Sequence, residues 1–256
     1  MTNIIEGYIG KRVDGKKSRV PAKLDFIQSA TGLFLGLFMW GHMFFVATIL
    51  ISESALNWVA GAFEGSLFLS EKQPVLVSII VFIVFCIFVV HACLGMRKFP
   101  INFRQYQIYK THADTMKHPD TTLWFLQAKT GFIMFFLGSA HLIIVMTNPE
   151  ITAQISGGRM YSHFMWPLYL ILLFAVEIHG GVGLYRLCVK WGWFEGKNAK
   201  ITRARLTKLK WALTVFFLAL GLLTLGAYIK TGYKYANLNN GVQAAYQINN
   251  DVKAVI

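Results

Sequence analysis

The sequence predicts an all-α membrane protein with five transmembrane helices, on three observations. Of 256 residues, 55% are hydrophobic and only 14% charged, with a mean hydropathy of +0.49, a composition unlike that of a soluble globule. Five apolar runs are each long enough to cross a hydrocarbon core of about 30 Å at about 1.5 Å per residue. Basic residues crowd alternate loops, as they do in multi-pass membrane proteins. Nothing in the pattern suggests a strand, and residues 1–256 read as one membrane domain.

The runs fall at about 26–52, 74–96, 121–148, 164–187 and 211–229, leaving 230–256 as a polar outer tail. The first is about twice the length of a signal-peptide core and has no small-residue cleavage pattern after it, so it is expected to be retained as a span. Pro74 opens the second, a position where proline suits a helix start, and Asn148-Pro149 ends the third. Trp58, Trp124, Trp166, Trp191 and Trp193 stand near span ends, where interfacial aromatics belong.

Eighteen Lys and Arg lie in the N-terminal segment and in the loops after the second and fourth spans, whereas Lys72, Arg159, Lys230, Lys234 and Lys253 are all that the opposite side carries. By the positive-inside rule the N-terminus is cytoplasmic. The net charge of +13 is explained by these loops and their attraction to anionic lipid or an acidic partner, so no nucleic-acid partner is expected. Cys86, Cys93 and Cys188 lie in or beside apolar runs without CxxC spacing and read as inert small hydrophobes.

Ionisable side chains inside a span are costly and by default functional. Four spans carry one histidine each, His42, His91, His141 and His179, and the fourth adds Glu177. Gln28, Thr31, Gly32 and His42 have the spacings of Gln127, Thr130, Gly131 and His141, while His91-x-x-x-Gly95 matches His179-x-x-x-Gly183. The histidines therefore come in two pairs. By helical rise His42 lies roughly 16 Å inside Glu53 and His141 roughly 13 Å inside Glu150, while His91 and His179 lie about 9 and 10 Å from Arg97 and Arg186 at the other side.

Two levels of two imidazoles in a four-helix bundle suit two bis-histidine b-type haems, held without thioether links because no Cys-x-x-Cys-His occurs. Gly36, Gly41, Gly95, Gly138, Gly180, Gly181 and Gly183 would admit a macrocycle, or else serve ordinary helix packing. An interhelical hydrogen bond explains a single buried histidine equally well; a metal transporter would gather carboxylates with its histidines at one level. His112, His118 and His163 read as solvated or interfacial.

Two stacked haems form an electron wire, and the substrate expected inside lipid is a quinone, whose oxidation needs a proton acceptor. Glu64 is the candidate, against the plainer reading of an exposed loop acid. Residues two apart on a helix point about 200° from one another, so Glu177 and His179 serve different sites, and a proton could travel beside Glu177.

The residues Gln28-Ser29-Ala30-Thr31-Gly32, Gly41-His42-Met43-Phe44-Phe45, Met96-Arg97-Lys98-Phe99-Pro100, Asp120-Thr121-Thr122-Leu123-Trp124, Trp166-Pro167-Leu168-Tyr169 and Gly183-Leu184-Tyr185-Arg186 resemble the dihaem cytochrome b subunit of quinol:fumarate reductase from epsilon-type bacteria. The resemblance covers most of the chain. It implies that His91 and His179 ligate the haem nearer the cytoplasm and His42 and His141 the other. It implies that Glu64 takes up protons from menaquinol, that Glu177 belongs to a transmembrane proton path, and that Gln28, Ser29, Trp124 and Lys190, with Arg159 as a further candidate, hold haem propionates. The partners implied are an iron–sulfur subunit and a flavoprotein subunit on the cytoplasmic face of the bacterial inner membrane, where fumarate becomes succinate, in a complex that a dimer would also suit. The same architecture run in reverse is a succinate:quinone reductase, and a non-catalytic haem-binding anchor would keep the histidines without a quinone acid. Pro119, where the pattern would have glycine, and Lys129, where it would have an apolar residue, depart from the family.

Overall fold

Five helices of the chain are long and apolar enough to cross a membrane, and no strand occurs among the described residues. This computed structural model describes residues 19–255, with side chains for 19–238; Lys11, Arg12, Lys16, Lys17 and Lys253, which entered the charge comparison, lie outside the described side chains.

The long helices are α1 (Val20–Ala47), α3 (Val75–Met96), α5 (Pro119–Thr147), α7 (Trp166–Trp191) and α8 (Ala199–Val255). Proline recurs at their starts: Pro74 caps α3, and α1, α5 and α7 each carry proline in the first turn, where its missing N–H costs nothing and its fixed φ suits the helix. His118 caps α5 by accepting from Asp120 N at 3.2 Å, so this loop histidine has a structural task and Pro119 fits the turn. Gly192, at φ +65°, ends α7 in the left-handed conformation that glycine adopts without penalty.

Three short helices occupy the segments between the apolar runs, where the sequence predicts loops: α2 (Glu53–Phe63), α4 (Phe103–Met116) and α6 (Ala153–Tyr161). Each begins at a side-chain cap. Ser52 accepts from Ala55 N at 3.0 Å, Asn102 from Gln105 N at 2.9 Å and Thr152 from Ile155 N at 3.1 Å, satisfying amides that a helix start leaves orphaned. Hydropathy had little chance of finding them, since a short interfacial helix needs no long apolar run.

α1, α3, α5 and α7 form a closed ring in which each packs on the next and α7 returns to α1; α8 lies outside it against α7 and α1. At one end Asp25 of α1 is paired with Lys98, just beyond α3, and with Lys190 of α7. We call this the basic end. At the opposite end Ser78 of α3 donates to Met146 O of α5 at 2.8 Å, and α2, α6 and the continuation of α8 cover the ring. There Ile49, Leu56, Ala153, Met160 and Tyr228 form one core, while Met43, Leu173 and Phe217 form another where α8 meets α1 and α7. Phe82, Ile133, Val215 and Leu223 are exposed and do not line the axial cavity, an outer surface that lipid would solvate. Lys129 also lies on that surface, a site from which its ammonium can snorkel along the bundle.

Candidate functional site

Along the axis of the ring runs a cavity of about 950 Å³ lined by His42, His91, His141 and His179. Protein interiors pack as tightly as organic crystals, so an axial space of this size is a binding space. The two histidine pairs are diagonal across the ring. His91 of α3 faces His179 of α7 with ring centroids 6.4 Å apart at 85°, near the basic end. His42 of α1 faces His141 of α5 at 6.1 Å and 49°. A metal bonded to two imidazole nitrogens at about 2 Å each places the ring centroids roughly 6 Å apart, so both spacings fit bis-imidazole ligation.

The other ring nitrogens are largely engaged. His179 Nδ1 lies 2.9 Å from Gln127 O, and because a carbonyl only accepts, Nδ1 must donate and Nε2 carries the lone pair. His91 Nδ1 lies 3.2 Å from Thr31 Oγ1, and His141 Nδ1 3.2 Å from the Tyr169 hydroxyl. Such contacts orient ligating imidazoles.

The internal repeat has a structural meaning. A Cβ on Gly32 would stand 2.8 Å from His91 Cε1, and one on Gly131 2.8 Å from His179 Cε1. Gly95 and Gly183, one turn beyond these histidines, face the side chains of Gln28 and Gln127, which a Cβ would approach to 3.5 and 2.9 Å. Each Gln-x-x-Thr-Gly helix thus seats the His-x-x-x-Gly face of the next. Of the other glycines singled out from the sequence, Gly36, Gly138 and Gly180 also line the cavity. Gly181 instead packs against Thr214 of α8, and a Cβ on Gly41 would meet no neighbouring element within 4 Å among the described residues.

Gln28, Ser29, Trp124, Lys190 and Arg159 all line the cavity. The first four gather at the basic end, where Lys190 Nζ donates to Ser29 Oγ at 3.1 Å and Gln28 Oε1 is buried without a hydrogen-bond partner among the described residues. Arg159 sits at the opposite end, its Nη2 donating to Asn148 O at 2.7 Å and Glu150 O at 3.1 Å. Among the described residues no group of three or more His, Cys, Asp or Glu is placed to hold a bare metal ion. Two imidazoles per level suffice for a haem, whose macrocycle supplies the remaining nitrogens. The paired rings, the glycine seats and the orphaned Gln28 oxygen therefore fit that group.

Glu64, at the C-terminus of α2, is only 6% exposed, which removes the reading of it as an exposed loop acid. Its Oε1 lies 3.5 Å from Ile151 N, and its neighbour Phe63 and Ile151 both line the cavity. Glu177 is 1% exposed and does not line the cavity, whereas Val176, His179 and Gly180 do. It faces the junction of α1, α7 and α8. The Trp40 indole lies nearby, yet neither carboxylate oxygen completes a hydrogen bond among the described residues.

Sequence reasoning missed Arg186, which donates from Nη1 to Gln127 Oε1 at 2.6 Å and so braces the residue whose carbonyl holds His179. It also missed Tyr169. Outside the spans, Glu53 accepts from Tyr235 at 2.8 Å and from Lys234 at 3.0 Å. These two bonds, the Tyr235 bond first, hold its carboxyl below the ordinary value of 4.5.

Fold and site together define a multi-pass membrane subunit built around paired intramembrane histidines. The succinate dehydrogenase/fumarate reductase transmembrane subunit family matches residues 102–222. The chain is 57% identical over 242 residues to the fumarate reductase cytochrome b subunit of Wolinella succinogenes, covering 93% of this chain and 94% of that one. It is 56% identical over 241 residues to the subunit of the same name from Helicobacter pylori strain J99, covering 94% and 92%. The chain belongs to the family of fumarate reductase cytochrome b subunits.

Proposed function

We propose that this subunit oxidises menaquinol at the Glu64 end of the bundle and conducts the electrons through two b haems to partner subunits at the basic end. The observation that carries this reading is the pair of imidazole couples, 6.4 and 6.1 Å between centroids, at two depths of one axial cavity. Bound by His91 with His179 and by His42 with His141, the haems would supply one-electron carriers in line across the membrane.

The chain's own residues do the rest. Gln28, Ser29, Trp124 and Lys190 would hold the propionates at the basic end, and Arg159 those at the other. Glu64, buried beside Phe63 and Ile151, is placed to accept a proton as menaquinol is oxidised. Glu177, outside the cavity, is suited to carry a proton beside the electron path without contacting the ligands. Ring helices and lipid-facing aromatics exclude water from the imidazoles.

The loop charge asymmetry supports a cytoplasmic N-terminus and basic end. An iron–sulfur subunit and a flavoprotein subunit would dock there, the latter reducing fumarate to succinate, and the outer face meets the lipid of the bacterial inner membrane. The name shared by the relatives favours this direction. The family description also includes succinate dehydrogenase, which makes succinate:quinone reduction the second reading. Fumarate reduction by the purified complex with a menaquinol analogue as sole donor tests the proposal; absence of that activity, with haem retained, leaves a haem-binding anchor.

A further inference from the structure

The hydrogen-bond partners of the four imidazoles are unevenly distributed. Near the basic end His179 donates to the Gln127 carbonyl and His91 lies beside the Thr31 hydroxyl. At the other level His42 is stacked on Phe38, with centroids 6.0 Å apart at 8°, and has no hydrogen bond among the described residues. Among the described residues His141 has one hydrogen-bond partner, the hydroxyl of Tyr169, at 3.2 Å from Nδ1. The Tyr169 ring stands edge-on to that imidazole, centroids 5.3 Å apart at 82°, so it fixes the rotation of the ring as well as meeting its nitrogen. Tyr169 belongs to α7, whose own histidine serves the opposite level. One helix therefore supplies an imidazole to one pair and a hydroxyl to the other.

Resting on the paired-imidazole reading of the cavity, we propose that Tyr169 is a positioning residue that sets the ligand strength of His141 and thereby the reduction potential of the haem at the Glu64 end. With Nε2 committed to iron, Nδ1 keeps its proton and donates it in a hydrogen bond to the phenol oxygen. An acceptor at Nδ1 makes the imidazole a stronger donor to the metal, and a stronger donor favours the ferric over the ferrous state, lowering the potential. The step concerned is addition of one electron to ferric iron; the Nδ1 proton stays on His141 throughout. The pair near the basic end does not touch Tyr169, so its potential is independent of this contact.

The test is Tyr169→Phe in the assembled complex, with haem counted by pyridine haemochrome and both midpoints measured by dithionite titration of the α-band. Phe keeps the ring and its edge contact and removes the hydroxyl. Expected are two haems per chain, one midpoint unmoved and the other raised. The reduction equilibrium should change roughly fivefold, the net worth of about one hydrogen bond, which is about 40 mV at 59 mV per tenfold for one electron. Two unmoved midpoints, or a fall, would overturn the role of Tyr169. Should the Phe variant lose a haem, Tyr169→Gln decides: its amide oxygen restoring the haem and the original midpoint supports the role, and failure to restore them overturns it. Fewer than two haems in the unsubstituted complex would instead contradict the proposed function itself.

Discussion

His179 occupies the space that a side chain at residue 131 would need: a Cβ on Gly131 would stand 2.8 Å from His179 Cε1, nearer than nonbonded carbons approach. Gly32 and His91 repeat the relationship at 2.8 Å. The two glycines seat the two imidazoles that face one another near the basic end.

Gly131→Ala should therefore displace the His179 ring and cost about 1–3 kcal/mol, the usual penalty of overpacking. The expected result is selective loss of the haem near the basic end, read as one haem per chain by pyridine haemochrome. Gly41→Ala, with no neighbour within 4 Å of the new methyl, serves as the control and should keep both.

Five spans were legible because lipid imposes a length and a composition that few soluble segments imitate. The four histidines stood out for a related reason, the cost of a polar ring in an apolar run, and the Gln-x-x-Thr-Gly and His-x-x-x-Gly spacings grouped them. What the glycines do was not legible, since Gly32 seats a histidine of another helix and spacing within one helix cannot reveal that. The burial of Glu64 likewise depends on a loop more than eighty residues away, through Ile151. The contact of Tyr169 with His141 was not legible either, because Tyr169 stands within a stretch shared with the family but an aromatic near a span end reads as interfacial. The caps of the short helices, Ser52, Asn102 and Thr152, were visible letters whose helices only tertiary cover confirms.

Glu64→Gln removes a buried proton acceptor while keeping the side-chain volume. Menaquinol oxidation by the complex should fall at least tenfold, with both haems retained. An unchanged rate would take Glu64 out of the chemistry and favour a haem-carrying anchor.

Glu177 lies outside the histidine cavity, with no hydrogen bond to its carboxylate among the described residues. Glu177→Gln should spare both haems and impair turnover, measured as quinol-dependent fumarate reduction beside the haemochrome count. Loss of the haem held by His91 and His179 would show that the acid and the imidazole act as one site.

Tyr235 and Lys234 hold the Glu53 carboxyl below its ordinary value of 4.5. A depressed carboxylate contributes stability that is present above the unfolded-state value and is lost as pH falls through the lower, folded-state value. The clamp between α2 and α8 should thus weaken only below about pH 4.5. Thermal unfolding of Glu53→Gln should show a shallower acid dependence than the unsubstituted protein. The difference at neutral pH should be small, as for other exposed ion pairs; equal acid slopes would remove Glu53 from the pH dependence.

The measurement that bears most directly on paired ligation is a pyridine haemochrome determination on the purified protein. Two b haems per chain are expected, one for each couple of imidazoles in the axial cavity. One haem per chain, or none, would contradict it.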